Sequence, residues 1–396
     1  MLELDCGLAF DPAHAEDFLA ALPPRPAVCL IQLREENAEP LLIRTQDLHR
    51  RLQRLLGPAD PSSKRLNLRE SARRICYRLT GSRFEQSITY YQHAKQLFPK
   101  RYKDLLRLRP AAILKVNLRN DYPRCYVTRR VPVDEAGVPM GGSYYGPFAS
   151  RKSAEAYAEK VLDFFKVRRC QIKIRRDPSF PGCIYSEMKM CLAPCFAGCT
   201  KEEYDTEVRR LVEFLDTGGD SLRSELEQLR ERASEQLSFE QASALHKKIQ
   251  KLEEALRGSP ELPRQIQDLD AIILQRSAEE QTIGVFVVRG GWLEEPFFLR
   301  FAEIASQPRS AEHIFRERLE TQSAESGAAP GKAAAGQSER GKDDLGEHLW
   351  LVSRWFYSNP RNGEILFREK DWPFRRILRA CSRLLAPPEA AKPNQP

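Results

Sequence analysis

Apolar positions along this chain come in short runs separated by charged or Pro-marked turns. Val28–Leu33 and Leu41–Ile43 read as two strands joined by a polar turn, Arg34–Pro40. A basic helix is predicted over Gln46–Leu56, with helical patterns over Leu68–Leu79 and Phe84–Leu97. Ile113–Leu118 and Arg124–Arg130 read as strands, and Gly141–Phe148 as a loop closing the first unit. Ser150 is placed to cap a helix over Lys152–Phe165.

From Lys201 to Leu256 the period becomes helical. Leu222, Leu226, Leu229 and Ala233 alternate by four and three, as do Ala242, Leu245, Ile249, Leu252 and Leu256, which predicts the seam of an antiparallel helical hairpin. Ser238 and Gln241 between the two runs suggest a capping box. Strands follow at Ala271–Leu274, Thr282–Val288 and Pro296–Phe301, with Gly290-Gly291 at a turn. The stretch 321–344, rich in Ala, Gly, Ser and charge, reads as a flexible linker; a helix, Leu345–Phe356, and a basic tail, Phe374–Leu385, come after it.

Charge sharpens this picture. The formal net charge of the 396 residues is +8, yet Leu41 to Arg130 alone carry 22 Lys+Arg against 6 Asp+Glu. Arginine forks onto phosphate, and Tyr77, Tyr90, Tyr91, Tyr102 and Tyr122 are interleaved with these charges, so the segment is predicted to meet a polyanion. Arg50, Arg51, Arg54 and Arg101 are the candidate phosphate contacts.

Cys170, Cys183, Cys191 and Cys195 form a C-x12-C-x7-C-x3-C array. The N-terminus has neither the basic start nor the apolar core of a signal peptide, and no apolar run reaches the length of a membrane span, which points to the cytoplasm and to reduced thiols. A metal centre is therefore predicted. Tetrahedral thiolate sites suit zinc or an iron–sulfur cluster. Only Cys191-Leu-Ala-Pro-Cys195 is a short knuckle, which favours a 4Fe-4S cluster over zinc, with Cys199 as an alternative ligand.

The run Ser143-Tyr-Tyr-Gly-Pro-Phe148, the four cysteines, and the segment from Leu237-Ser-Phe-Glu-Gln241 to Lys251-Leu-Glu253 together resemble the UvrC family of bacterial nucleotide excision repair in order and spacing. The resemblance runs from about Pro26 to Phe301 and more faintly through Leu349–Phe367. It implies a GIY-YIG nuclease fold for the first unit, a 4Fe-4S cluster on the four cysteines, and a UVR motif in the hairpin that pairs with UvrB. Phe239, Glu240, Ala242, Leu245, Ile249 and Leu252 are the implied partner-binding residues.

The implied fold class is α+β and multidomain. An N-terminal extension (1–25) precedes a GIY-YIG-like small sheet with flanking helices (26–149), a cysteine segment (150–200) and a helical region (201–258) with the hairpin at about 222–257. A partial RNase H-like region (266–320 and 345–385) follows. The chain thus resembles a truncated relative, with the family's second nuclease site absent.

The nuclease residues of a GIY-YIG domain are largely replaced. Ala27-Val28-Cys29 and Leu41-Leu42-Ile43 stand where the tyrosine-bearing triplets would be, and Tyr91 (Tyr90 with a register slip) falls at the metal-binding glutamate. Lys103 follows Arg101-Tyr102 where asparagine is expected; Arg51 matches the catalytic arginine as a relic. Without that carboxylate there is no ligand for Mg²⁺ or Mn²⁺, so the implied function is a DNA-binding, UvrB-binding repair protein that does not cut. The alternatives are an active structure-specific endonuclease using another carboxylate, and a nucleic-acid scaffold with a different UVR-type partner.

Overall fold

A computed structural model describes residues 2–35, 37–58, 65–259, 261–325 and 344–386. Its N-terminal part holds β1 (Asp5–Ala9), α1 (Ala15–Ala20), β2 (Ala27–Leu33), β3 (Leu41–Thr45), α2 (Leu48–Leu56), β4 (Ala72–Leu79), α3 (Arg83–Leu97) and α4 (Tyr102–Leu106). The strands form one antiparallel sheet in the order β1-β4-β2-β3. Because side chains alternate across a strand, Ala27, Cys29 and Ile31 face α1 and α2 in one core, while Val28 and Leu30 face α3 in another.

The helix expected over Leu68–Leu79 is instead the strand β4, hydrogen-bonded between β1 and β2. Leu68, Ala72 and Ile75 are all buried, and their spacing of four and three imitates a helical stripe. Pairing on both sides of β4 decides against the local pattern.

A second sheet follows. It is built from β5 (Ala112–Val116), β6 (Cys125–Thr128) and β7 (Ser143–Phe148), flanked by α5 (Arg151–Leu162). The segment read as a loop is thus largely β7, buried along its whole length. Gly142 makes the turn into it at φ +147°, where a Cβ would come within 2.2 Å of the Val116 carbonyl oxygen. The 26–149 unit of the sequence reading therefore spans two sheets.

The chain continues through α6 (Ile184–Glu187), α7 (Lys201–Asp216), α8 (Asp220–Glu235) and α9 (Phe239–Leu256), and β8 (Arg264–Gln265) then joins the second sheet beside β7. One apolar core ties Leu114, Tyr145 and Phe148 of this sheet to Phe165, Cys199, Tyr204, Phe214 and the base of the hairpin. Ser150 caps α5 as predicted, accepting the Ser153 amide at 3.1 Å.

The last part contains β9 (Ala271–Arg276), β10 (Thr282–Arg289), β11 (Trp292–Leu293), β12 (Phe297–Arg300), α10 (Phe301–Ala305), α11 (Ala311–Glu325), α12 (Asp344–Phe356), β13 (Glu364–Phe367) and α13 (Phe374–Leu385). The region expected to be RNase H-like is a five-stranded antiparallel sheet. It is covered on both faces, which explains its near-continuous apolar runs. Ile272, Leu274 and Val285 pack on α11 and α13, while Ile273, Phe286 and Val288 join α12 and α3 in the core shared with the first sheet. The predicted linker begins late, because α11 runs to Glu325; 326–343 lie outside the described residues. The basic tail is the amphipathic helix α13, with Ile377, Ala380 and Cys381 buried.

Candidate nucleic-acid interface and thiol centre

The sheet positions where strand tyrosines were sought carry no phenol. Cys29 is fully buried toward α1 and α2, and burial, with Cys76 adding to it, pushes its thiol up to about 12. Asp47 caps α2 by accepting the Arg50 amide at 2.8 Å. The helix then buries Leu48, Leu52, Leu55 and Leu56, leaving Arg50, Arg51 and Arg54 exposed together on its outer face. Arg101, expected with them, is engaged: its guanidinium meets Glu39 Oε2 at 2.8 Å and Oε1 at 3.1 Å.

Tyr91 and the Tyr102-Lys103 pair converge on a residue that the sequence alone did not single out. Glu347 of α12 has a side chain 2% exposed. Its Oε2 accepts the Tyr91 hydroxyl at 2.7 Å, and its Oε1 accepts the Tyr102 hydroxyl at 2.8 Å. Lys103 Nζ stands 3.1 Å from Oε1; Lys95 Nζ is 3.8 Å from Oε2 and 2.7 Å from Asp344 Oδ2. Burial, reinforced by the Glu347 charge, raises the Tyr91 phenol well above its ordinary range, so it remains a donor. A glutamate among Leu345, Leu349 and Val352 on a buried helix face was the available signal, since such a carboxylate needs a partner.

Glu85, the other carboxylate near this site, is 1% exposed and turned elsewhere. It accepts the Gly81 amide at 2.9 Å and lies 3.6 Å from Arg78 Nε. Burial raises its carboxyl against the opposing pull of Gly81 and Arg78.

The four cysteines come from separate pieces of irregular chain that the second core gathers. Arg168 pins the segment before Cys170 by donating to the Tyr122 carbonyl at 2.8 Å and the Ile172 carbonyl at 2.7 Å. Ala193 and Ala197 adopt left-handed backbone at φ +56° and +63°, curling the chain around Cys191 and Cys195. The Ala193 amide donates to Cys191 Sγ at 3.3 Å, and the Phe196 amide donates to the Cys195 sulfur. Burial pushes the Cys191 thiol up to about 11 against the Ala193 bond, with Cys170, Cys195 and Cys183 close enough to add to it. Cys199 senses only Cys195 among the thiols and belongs to the neighbouring core. Among the described residues, no group of three or more His, Cys, Asp or Glu side chains is disposed to hold an ion, so the four thiols are neighbours and not a closed cage.

The hairpin forms as read, but its turn differs. Leu237 takes φ +55°, its amide bonds the Ser234 carbonyl at 2.9 Å, and the Ser238 side chain makes no cap bond. Leu222, Leu226, Ala233, Ile249 and Leu252 are buried, and Ala242 and Leu245 are half-buried. Toward the tip the seam opens: Leu229 is 39% exposed, Phe239 66% and Leu237 71%, with Glu240 exposed beside them.

Residues 112–214 match the UvrC/Cho excinuclease middle domain. Strands β5, β6 and β7, α5, the cysteine segment and all but the last two residues of α7 fall within that match. UvrABC system protein C of Ruminiclostridium cellulolyticum is 31% identical over 179 residues, 45% of this chain and 28% of that protein. The same protein from Thermoanaerobacter sp. is 31% identical over 193 residues (48% and 30%), and that from Dehalococcoides mccartyi 27% identical over 279 residues (69% and 44%). Over these matched residues the chain is similar to the UvrC family. Its matched part spans less than half the length of these relatives. No solved structure matches it.

Proposed function

We propose that this chain is a UvrC-like protein of nucleotide excision repair that binds DNA and a UvrB-like partner and does not cut. One observation supports the second half of this reading: Tyr91, which the resemblance aligns with the GIY-YIG metal ligand, offers no carboxylate, and the carboxylate that reaches it, Glu347, already accepts two tyrosine hydroxyls. Hydrolysis of a phosphodiester needs an activated water and charge stabilisation at phosphorus, which a metal held by a free carboxylate supplies. Both oxygens of Glu347 accept tyrosine hydroxyls, and Lys95 and Lys103 stand where a cation would have to sit.

DNA binding rests on the arginine face of α2. Partner binding rests on the open tip of the hairpin, where Phe239 and Leu237 expose apolar surface beside Glu240. Cys170, Cys183, Cys191 and Cys195 are the ligands we assign to a 4Fe-4S cluster, on their spacing and on the amides that donate to two of the sulfurs, bonds of the kind that tune such clusters. Such a cluster would cross-link the segment between α5 and α7; zinc on the same ligands is the alternative. No helix among the described residues is long and apolar enough to cross a membrane, which is compatible with a cytoplasmic repair protein.

The second reading, an active endonuclease, is favoured only by the arrival of a carboxylate at Tyr91. Incubation of the chain with UvrB and a lesion-bearing duplex in Mg²⁺ or Mn²⁺ tests the choice. Retention of the duplex uncut in a ternary complex is the expected result. Incision abolished by Glu347→Gln would establish the second reading.

A further inference from the structure

Arg44 near the end of β3 points to the α3 side of the first sheet, away from α2. Its guanidinium carbon lies 5.5 Å from the ring centre of Tyr90 on α3. Helix α3 packs against both β3 and α12, and α12 presents Arg354, whose guanidinium carbon is 5.2 Å from the ring centre of Trp350. The two cationic groups are near enough for the charge of Arg44 to oppose that of Arg354, in addition to the effect of burial. Neither arginine has a carboxylate partner among the described residues. Several other exposed arginines are paired, as Arg101 is with Glu39, Arg300 with Glu279 and Arg383 with Glu364.

Two like charges held together without an intervening acid are unfavourable in the free protein, and an anion between them relieves the repulsion. Guanidinium groups suit phosphate oxygens in particular, because their planar forks donate two parallel bonds. The rings of Tyr90 and Trp350, themselves buried, give both groups a fixed floor, so less side-chain freedom is lost on binding.

We propose that Arg44 and Arg354 form a phosphate-binding pair for a nucleic-acid backbone, spanning the first sheet and α12. The proposal rests on the DNA-binding reading and adds a surface in a different layer from Arg50, Arg51 and Arg54. It also puts nucleic acid across the junction between the first sheet and the C-terminal part of the chain.

The test is binding of a fluorescent duplex to the full chain over a series of salt concentrations. Substituting Arg44→Gln and Arg354→Gln together should lower affinity roughly tenfold at low salt and reduce the slope of log K against log salt by about two units. Arg44→Lys with Arg354→Lys should keep most of the slope. An unchanged slope in the Gln variant, with the wild type binding, overturns the proposal. A wild type that binds no duplex defeats the DNA-binding reading itself. Thermal shift by pyrophosphate then judges the pair alone: a shift lost in the Gln variant retains it as an anion site, and no shift in the wild type overturns it.

Discussion

Tyr91 and Glu347 stand 256 positions apart in the chain and meet at 2.7 Å. Their bond fastens α3 to α12, beside a core in which Phe84 meets Phe286 and Trp355 edge-on or tilted at 5.1 and 5.2 Å. Tyr91 and Glu347 thus hold two parts of the chain together.

Truncating this carboxylate should destabilise the fold. Glu347→Ala leaves two buried tyrosine hydroxyls without an acceptor, while Lys95 and Lys103, 34% and 47% exposed, can turn to water. The cost should be about 3 kcal/mol, most of it from the tyrosines. Tyr91→Phe should cost about 1.5 kcal/mol, the scale of one bond to a charged acceptor. Denaturant unfolding measures both. A Tyr91→Glu variant should gain no incision, because it would set a second carboxylate against the first.

The elements legible in the sequence are those whose signal is local. The helix read over Gln46–Leu56, Ser150 and the helix after it, and the strands read at Ala271–Leu274 and Thr282–Val288 all form, their ends shifted by a few residues at most. What escaped is non-local. Ala72–Leu79 imitates a helix until two neighbouring strands claim its amides, and Ser143–Phe148 looks like a glycine-rich loop until β5 pairs with it. Arg101 reads as a phosphate contact because nothing near it in sequence announces Glu39. Ser238 has the right neighbours for a capping box, yet the left-handed Leu237 sets a turn in which its hydroxyl makes no such bond. The four cysteines were visible as an array; that Cys199 is buried in the second core needed the fold.

If the thiols hold a cluster, anaerobically prepared protein should be brown, with broad absorption near about 400 nm and roughly four irons per chain. Cys191→Ser should abolish the metal and expose the region from Tyr185 to Ala197 to protease, since ligation and local folding are coupled. Cys381→Ser should change neither, because Cys381 is fully buried in the distant α13 core. A colourless protein with one zinc would keep the ligands and discard the iron.

The α2 face gives a separable electrostatic test. Arg50, Arg51 and Arg54 are exposed while the leucines between them anchor the helix, so their joint replacement by alanine should leave circular dichroism unchanged. The salt slope for DNA should fall by at most about three units. Arg101→Ala should add little, its charge already being matched by Glu39.

Glu85 should tune stability with pH. Burial holds its folded carboxyl above the ordinary glutamate range. The stability it contributes is full below the unfolded value and is lost as pH rises through the raised one. Glu85→Gln should remove this loss and be the more stable form at neutral pH, by ~1.4 kcal/mol for each unit of elevation. Urea midpoints of the two proteins, compared from about pH 4 to pH 8, measure the difference, which should grow with pH across the interval just above the normal glutamate value.

The hairpin tip is the sharpest test of partner choice. Phe239 is 66% exposed and Leu237 71%, while the helices beneath are held by Leu222, Leu226, Ile249 and Leu252 in the second core. Removing the Phe239 ring therefore touches no packing that the hairpin needs, and Phe239→Ala should keep the full helical circular dichroism signal. An aromatic buried in a partner's pocket is worth about 2 kcal/mol or more, so affinity for a UvrB-like protein should fall by roughly thirtyfold or more. Leu252→Ala should act in the opposite way, losing helicity and stability because it empties a fully buried site. Unaltered affinity of the Phe239 variant, with helicity intact, would assign the tip to some other partner.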